Sequence, residues 1–234
     1  MIGDSCEITD KGNSCRTAPS QPEQINYKEH WDKTYSNSPE EKLGWYETDL
    51  KPTLEMIDKT GLPKTARILN IGAGSSTLID ELLNLEYSNV LATDISKVSL
   101  DKLKARLGDE SRRVEWIVDD LTKPILLGAI QPVDLWIDRA VLHFLTERED
   151  QDIYFTLLKQ ILKQDGFVLL AEFNLEGAEK CAGLSVHRYN EEMLAARLGN
   201  DFKIIHSFNH IYTMPSGAVR PYIYVLFKRK KKQK

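Results

Sequence analysis

A glycine pair and two aspartates stand where the sequence could build a site for a nucleoside. Gly72 and Gly74 follow an apolar run, and glycine lets the backbone turn sharply and approach a ligand closely. Asp94 lies 22 residues after Gly72, a usual offset for a carboxylate that accepts hydrogen bonds from ribose hydroxyls. Asp120 follows a later apolar run, where it could accept a hydrogen bond from the exocyclic amine of adenine. These residues predict a site for an adenosine-containing ligand.

Asp138 and Arg139 follow a fourth apolar run and are expected to face the reacting end of the ligand. Each feature also has a purely structural interpretation. Asp94 could be an exposed turn residue, Asp119 with Asp120 could cap a helix, and Asp138 with Arg139 could form an ion pair. The set is more informative than any member, because all four features occur in order, each at the end of a predicted strand.

Apolar, β-branched runs alternate with amphipathic stretches from about residue 25 onward, which is typical of a parallel α/β sheet. The predicted parallel strands are residues 67–71, 89–93, 114–118, 133–137 and 167–173. Two later runs, residues 202–208 and 221–227, have no helix-length segment between them and must pair antiparallel. The predicted fold class is α/β: a Rossmann-like, doubly wound, seven-stranded sheet with five parallel strands and a C-terminal antiparallel hairpin. Ligands bind such sheets beyond the carboxyl ends of the strands.

Capping residues mark the ends of the predicted helices. The predicted N-terminal caps are Ser75 or Ser76, Ser96, Thr146 in a capping box with Glu149, and Asn190. Glycines are expected to end three of the helices, at Gly108, Gly166 and Gly199.

The composition suits one globular domain: of 234 residues, 41% are hydrophobic and 28% are charged. No apolar run reaches the roughly 18 residues that a membrane span needs, and the acidic N-terminus lacks the apolar core of a secretory signal. Cys6, Cys15 and Cys181 are an odd number without metal-ligand spacing, which favours a reducing compartment and predicts no bound metal. We therefore expect a cytoplasmic protein.

Three regions are expected along the chain: a disordered leader at residues 1–25, one domain at residues 26–228 and a basic tail at residues 229–234. The last seven residues carry six positive charges, so the remainder is more acidic than the net charge of −4 indicates. An acidic body is a poor surface for nucleic acid. The tail could be a solvated end, a nuclear signal or a contact for an acidic partner. We expect a monomer that binds neither nucleic acid nor membrane.

The residues at the predicted strand ends resemble the motifs of class I S-adenosylmethionine (SAM)-dependent methyltransferases. The matching segments are residues 68–74 for the glycine-rich turn, 92–94 for the ribose-binding acid, 118–121 for the adenine contact and 134–145 for the fourth motif. The resemblance covers residues 26–228 and implies SAM as the cofactor. Two positions depart from the family pattern, since Asn70 stands where Asp is common and Ser76 where a third Gly is common.

The resemblance also implies which residues bind the cofactor. At the strand ends these are Gly72, Ala73, Gly74, Asp94, Ile95, Asp120, Leu121, Asp138 and Arg139. The segments around Trp31 and around Trp45 and Tyr46 are similar to the family's segment that lies over the cofactor. Aromatic faces attract cations by about 0.5–2 kcal/mol, which suits the sulfonium of SAM. Trp31 and Tyr35 could instead form the packing face of a helix, because they are four residues apart.

The implied reaction is an in-line displacement in which SAM supplies the reactive methyl group and the protein supplies alignment. The sequence is similar to both protein-lysine methyltransferases, including the citrate synthase type, and thiopurine-type methyltransferases. A protein lysine amine is the expected acceptor; the alternatives are a small-molecule thiol or amine, or a binding module without catalysis. Asp138 is the candidate catalytic residue, because its carboxylate could orient an amine. A nicotinamide site is disfavoured, because the third glycine position of that fingerprint falls on Thr77.

Three further segments lie toward the predicted acceptor end. His143, on an apolar stretch, is expected to be packed in the core. Residues 177–184 are expected to shape the acceptor pocket, and the loop that holds His187 could contact the substrate.

Overall fold

The computed structural model describes residues 25–231. Its helices are α1 (Tyr27–Asn37), α2 (Lys51–Asp58), α3 (Leu78–Asn84), α4 (Lys97–Leu107), α5 (Arg148–Ile161) and α6 (Glu191–Leu198). Its strands are β1 (Arg67–Ile71), β2 (Asn89–Asp94), β3 (Val114–Val118), β4 (Val133–Arg139), β5 (Leu162–Phe173), β6 (Lys180–Cys181), β7 (Leu184–Ser185), β8 (Phe202–Thr213) and β9 (Val219–Arg229). The predicted leader lies outside the described residues except for Ile25, and so do residues 232–234 of the predicted tail.

Seven strands form one sheet in the order β3-β2-β1-β4-β5-β9-β8. Strands β1 to β5 are parallel, whereas β9 pairs antiparallel with β5 and β8 pairs antiparallel with β9. This confirms the predicted fold class. The chain builds outward from β1 to β3 and then returns to β4, so the strand order reverses between β1 and β4. Ile71, at the end of β1, stands beside Thr93 on one side and Asp138 on the other.

The two faces of the sheet carry separate apolar cores, because side chains alternate along each strand. Ile68 and Leu135 point to the face that α2, α3 and α4 cover. Leu69 and Trp136 point to the face that α5 and α6 cover. Parallel strands buried on both faces explain why these segments read as continuous apolar runs in the sequence.

Most predicted element ends agree with the structure. Ser96 caps α4 by accepting a hydrogen bond from the backbone N–H of Ser99, and Asn190 caps α6 by accepting one from Met193. The antiparallel strands β8 and β9 are longer than predicted, and only residues 214–218 connect them. Within residues 25–231, no helix is long and apolar enough to cross a membrane.

Two predicted N-terminal caps were wrong. The N-cap of α3 is Thr77, while the Ser76 hydroxyl accepts a hydrogen bond from the backbone N–H of Leu78 at 3.1 Å. The N-cap of α5 is Glu147, so the predicted capping box does not form. The hydroxyl of Thr146 donates to the Glu147 carboxylate instead of accepting from the helix backbone.

Gly166 does not end a helix, because α5 already ends at Ile161 and Gly166 lies inside β5. A Cβ on Gly166 would lie 2.9 Å from the Lys163 carbonyl oxygen and 3.1 Å from that of Asp134. The glycine therefore allows β5 to approach β4 closely, a role that the sequence pattern does not distinguish from a helix stop.

Candidate functional site

A cavity lies along the carboxyl edge of the sheet where the strand order reverses, with about 1240 Å³ of empty space including its open mouth. All the predicted cofactor-binding residues except Asp138 line it: Trp31, Trp45, Tyr46, Gly72, Ala73, Gly74, Asp94, Ile95, Asp120, Leu121 and Arg139.

The glycine-rich turn after β1 forms one wall. Gly72 and Gly74 have φ angles of +56° and +48°, a conformation that residues with a Cβ rarely adopt. A Cβ on Gly72 would overlap the Val141 side chain, and a Cβ on Gly74 would overlap the Tyr35 hydroxyl. Both glycines are therefore needed for backbone conformation and for space.

Asp94 is fixed at the end of β2 by two backbone groups. Its carboxylate accepts hydrogen bonds from the N–H of Gly74 at 2.9 Å and from the N–H of Ser96 at 2.8 Å. Burial raises the pKa of Asp94 to about 6, and the two backbone hydrogen bonds only partly oppose that rise. A carboxylate held beside the glycine-rich turn is well suited to accept hydrogen bonds from a ribose diol.

The two aspartates after β3 have different positions. The Asp119 carboxylate accepts backbone hydrogen bonds from Leu126 at 2.9 Å and Leu127 at 2.8 Å, so it holds the following loop. One oxygen of Asp120 accepts two hydrogen bonds from Thr122, from its backbone N–H and its hydroxyl, both at 2.8 Å. Asp120 lines the cavity beyond Asp94, as the sequence predicts, and its loop is fixed in place.

An aromatic cluster covers the cavity from the N-terminal side. The Trp31 ring lies 5.4 Å from the Trp45 ring and 4.9 Å from the Phe144 ring. Tyr35 lies 5.9 Å from Trp45. Trp31 and Tyr35 both pack in this cluster and also line the cavity, whereas a contact of either ring with the cofactor stays a prediction.

Asp138 is not among the residues that line the cavity, unlike the other residues predicted to bind the cofactor. Its side chain is fully buried and accepts hydrogen bonds from the Tyr154 hydroxyl at 2.7 Å and from the backbone N–H of Val141 at 3.0 Å. Burial, together with the nearby Glu172, raises its pKa well above the usual range. The side chain points toward α5. It lies on the same face of the sheet as Trp136, because the two residues are two positions apart in β4. Asp138 therefore supports the loop below the cavity.

Glu172 and His143 extend this buried network. The His143 Nδ1 lies 3.0 Å from the Glu172 carboxylate, and both side chains are fully buried. Burial lowers the pKa of His143 to about 3 and raises that of Glu172 to about 8. His143 is thus a packed, neutral side chain, as its apolar surroundings in the sequence predict.

Arg139 points to the opposite face from Asp138 and lines the cavity. Its Nε lies 2.9 Å from the Glu47 carboxylate, and its guanidinium stacks 4.8 Å from the Tyr212 ring and 5.0 Å from the Tyr222 ring. Burial acts to lower its pKa, but the surrounding tyrosines and Glu47 outweigh burial and raise it. The suggested ion pair between Arg139 and Asp138 was wrong, because Glu47 is the partner of Arg139.

Glu47 is a cavity residue that the sequence reasoning missed. Only 6% of it is exposed, and burial raises the pKa of its carboxyl group. Its Oε1 has no hydrogen-bond partner among the described residues. Glu47 lies before the first strand of the sheet, so it cannot be found as a residue at a strand end. The one feature of the sequence that could point to Glu47 is its position two residues after Trp45.

The predicted acceptor-shaping segment forms the β6–β7 hairpin, and Cys181 from it lines the cavity. Burial raises the pKa of the Cys181 thiol to about 11, so the thiol is protonated at neutral pH. His187 is not among the cavity-lining residues, and its backbone N–H donates to the His143 carbonyl. In the described range 25–231, no three His, Cys, Asp or Glu residues group so that they could hold a metal ion.

Comparison with known proteins identifies relatives of this arrangement. A family model described as a methyltransferase domain matches residues 69–168. EEF1A lysine methyltransferase 2 from Danio rerio is 23% identical over 176 residues, which cover 69% of this chain and 75% of that protein. The eEF1A lysine and N-terminal methyltransferase from Mus musculus is 27% identical over 105 residues, which cover 45% of this chain but only 15% of that longer protein.

Solved structures share the fold at low sequence identity. A SAM-dependent methyltransferase from Anabaena variabilis ATCC 29413 has a TM-score of 0.71 at 15% identity and covers 88% of this chain and 96% of that one. The N-methyltransferase NodS from Bradyrhizobium japonicum WM9, in complex with S-adenosylhomocysteine (SAH), has a TM-score of 0.64 at 11% identity and covers 88% and 99%. The chain thus has the seven-stranded fold of SAM-dependent methyltransferases, and its residues 69–168 match a methyltransferase domain.

Proposed function

We propose that the protein transfers a methyl group from SAM to the side-chain amine of a lysine in another protein. The observation that carries the proposal is the convergence of the glycine-rich turn, Asp94 and the aromatic cluster on one cavity. SAM, when bound, supplies a methyl group activated by its positively charged sulfur. The protein has to bind it, shield it and align the acceptor.

The strand-end residues fit the parts of SAM in order along the sheet. Asp94 would accept hydrogen bonds from the ribose hydroxyls, and Asp120 would accept one from the adenine amine. Ile95 and Leu121 give apolar contact to the adenine ring. The turn at Gly72, Ala73 and Gly74 leaves space for the amino-acid part. Ser75 Oγ and Thr93 Oγ1, which are buried without a partner in the described structure, are available for further hydrogen bonds.

The aromatic cluster suits the charged end of the cofactor. Trp31, Trp45 and Tyr46 line the same cavity as the turn. Each ring that faces the sulfonium would stabilise it by about 0.5–2 kcal/mol, more where water is excluded.

A lysine acceptor is supported by the relatives that are named as EEF1A lysine methyltransferases. In the transfer, the lone pair of the neutral amine forms the new N–C bond while the C–S bond breaks and its electron pair stays on sulfur. The proton of the ammonium form leaves to solvent before the attack, and the methylated nitrogen then carries the positive charge that the sulfur loses. Neutralising a lysine with a pKa near 10.4 costs about 4.6 kcal/mol at pH 7. Burial of the amine beside a cation lowers its pKa and reduces that cost.

The test is transfer of tritium from methyl-labelled SAM into a cell lysate. One portion of the lysate has its lysine amines acetylated, and a matched portion is untreated. We expect label in precipitated protein of the untreated portion and its loss from the acetylated portion. Label in the low-molecular-weight filtrate would indicate a small-molecule thiol or amine as acceptor. SAM binding without any transfer would indicate a binding module.

A further inference from the structure

The Glu47–Arg139 pair lies at the end of the cavity away from the predicted adenine and ribose contacts. Arg139 belongs to β4, and the pair is enclosed by Tyr212 of β8 and by Tyr224 of β9, whose hydroxyl lies 3.3 Å from Arg139 Nε. Asp94 is the last residue of β2 and Asp120 follows β3, and both strands lie on the other side of β1 from β4. The pair is therefore placed where the acceptor would approach.

The two carboxylate oxygens of Glu47 have different environments. Oε2 is paired with Arg139 at 2.9 Å, whereas Oε1 is buried and finds no hydrogen-bond donor within residues 25–231. A buried oxygen of a carboxylate that lacks a donor is costly, so a bound molecule that brings an N–H group would be favoured there. The backbone carbonyl of Glu47 accepts from the Thr77 hydroxyl at 2.8 Å, which fixes the segment against α3.

The charge of the pair suits an amine that must be neutral to react. Glu47 alone would stabilise an ammonium ion and raise the pKa of the acceptor. Arg139, held against the same carboxylate, cancels that effect. The pair can therefore accept a hydrogen bond from an amine without strongly holding the protonated form.

We propose that Glu47 Oε1 accepts a hydrogen bond from the acceptor amine and directs its lone pair toward the methyl group. This rests on the proposed lysine methyl transfer. The amino-acid part of SAM also carries an amine, so the experiment has to distinguish the acceptor amine from the amine of the cofactor.

The experiment measures the affinity of wild type and Glu47→Gln for three SAM analogues by calorimetry. SAH carries the amino-acid amine only. Sinefungin carries that amine and a second amine at the position of the reactive methyl group. Methylthioadenosine carries neither amine. The matched control is Asp49→Asn, which removes a nearby exposed carboxylate and keeps an oxygen for the backbone N–H of Lys51.

We expect Glu47→Gln to weaken sinefungin by about tenfold and to leave SAH and methylthioadenosine within about twofold, because one charge-assisted hydrogen bond is lost. Asp49→Asn should change none of the three. Equal weakening of SAH and sinefungin would overturn the proposal and assign Glu47 to the cofactor's amine, and unchanged sinefungin binding would overturn it as well.

Two further measurements keep the test decisive. If Glu47→Gln no longer binds methylthioadenosine, Glu47→Asp replaces it, because Asp keeps the negative charge but withdraws the oxygen from the cavity. Glu47→Asp should show the same selective loss of affinity for sinefungin. If this variant bound sinefungin as tightly as the wild type does, the proposal would be overturned. The tritium assay on wild type decides the proposed function separately, because the titrations need neither acceptor nor turnover.

Discussion

The backbone N–H of Gly74 donates a 2.9 Å hydrogen bond to the carboxylate of Asp94, which joins the turn after β1 to the end of β2. The contact orients the carboxylate toward the cavity and fixes the turn at a positive φ angle. One side chain thus stabilises the backbone of the turn and lines the cavity.

Asp94→Asn should weaken SAH binding by about 10- to 100-fold, because hydrogen bonds to a charged group contribute roughly 1.5–3 kcal/mol. The amide also turns an N–H group toward the donors of Gly74 or Ser96. Equilibrium dialysis measures the affinity, with the exposed Asp101→Asn as control. Wild-type affinity in Asp94→Asn would contradict the role of this carboxylate.

The affinity for SAH should rise with pH and become constant above the pKa of Asp94, about 6 in the free protein. The ribose hydroxyls bind the ionised carboxylate, so affinity falls by up to about tenfold for each pH unit below that value. The raised pKa means that the folded chain binds this proton more tightly than the unfolded chain. Its contribution to stability is therefore present at low pH and is lost as pH rises from about 4 to 6. Titrations with SAH from about pH 5 to 8 test the predicted change in affinity. In Asp94→Asn, the affinity should no longer change with pH over this range.

Gly74→Ala should weaken SAH binding and lower the free energy of unfolding. The backbone at Gly74 has a φ of +48°, and the added Cβ would overlap the Tyr35 hydroxyl. The left-handed conformation alone costs about 1–2 kcal/mol for a residue with a Cβ. The control is Gly183→Ala, where φ is +82° and nothing lies within 4 Å. Tyr35→Phe should partly rescue Gly74→Ala. Equal effects of the two alanine variants would contradict the steric part of this account.

Asp138→Ala should destabilise the protein by about 2–5 kcal/mol, because the Tyr154 hydroxyl and the backbone N–H groups of Val141 and Leu142 lose their acceptor. Urea denaturation measures this loss. At temperatures where the variant is folded, its affinity for methylthioadenosine should stay within about twofold of wild type, since Asp138 does not line the cavity. A catalytic loss with unchanged stability would restore Asp138 as a catalytic residue.

Because of Glu172, the free energy of unfolding should decrease as the pH rises toward alkaline values. Burial raises its pKa to about 8, so the folded chain holds this proton more tightly than the unfolded chain does. The stabilisation that comes from this tighter proton binding is complete below about pH 4.3, the pKa of Glu in the unfolded chain. It is lost as the pH rises through about 8, the pKa in the folded chain. Urea midpoints between about pH 6 and 9 should fall in wild type and fall less in Glu172→Gln. A flat wild-type profile would contradict the raised pKa.

The local sequence pattern was enough to predict the sheet and the strand-end residues that line the cavity. Strand ends and glycines are local features, so Gly72, Asp94 and Asp120 could be placed from the sequence. The side of β4 to which each residue points was also available, because Trp136 and Asp138 alternate with Ile137 and Arg139. The position of Asp138 and Arg139 at the end of the strand predicts that both face the ligand, whereas the alternation of side chains allows only one of them to do so.

The partners of Arg139 could not be predicted in the same way. Glu47 lies 92 residues before Arg139, in a segment without periodicity, and Tyr212 lies 73 residues after it. Their meeting depends on how the N-terminal segment and the terminal hairpin fold over the sheet edge. Such contacts are set by tertiary packing, which no local pattern encodes.

We expect the cavity at the carboxyl edge of the sheet to bind SAM, and calorimetric titration of the wild-type protein with SAH and with NAD is the decisive measurement. We predict one SAH bound per chain with a dissociation constant of about micromolar, and no heat with NAD, because Thr77 stands where the nicotinamide fingerprint needs glycine. Absence of SAH binding, or equal binding of NAD, would contradict the account.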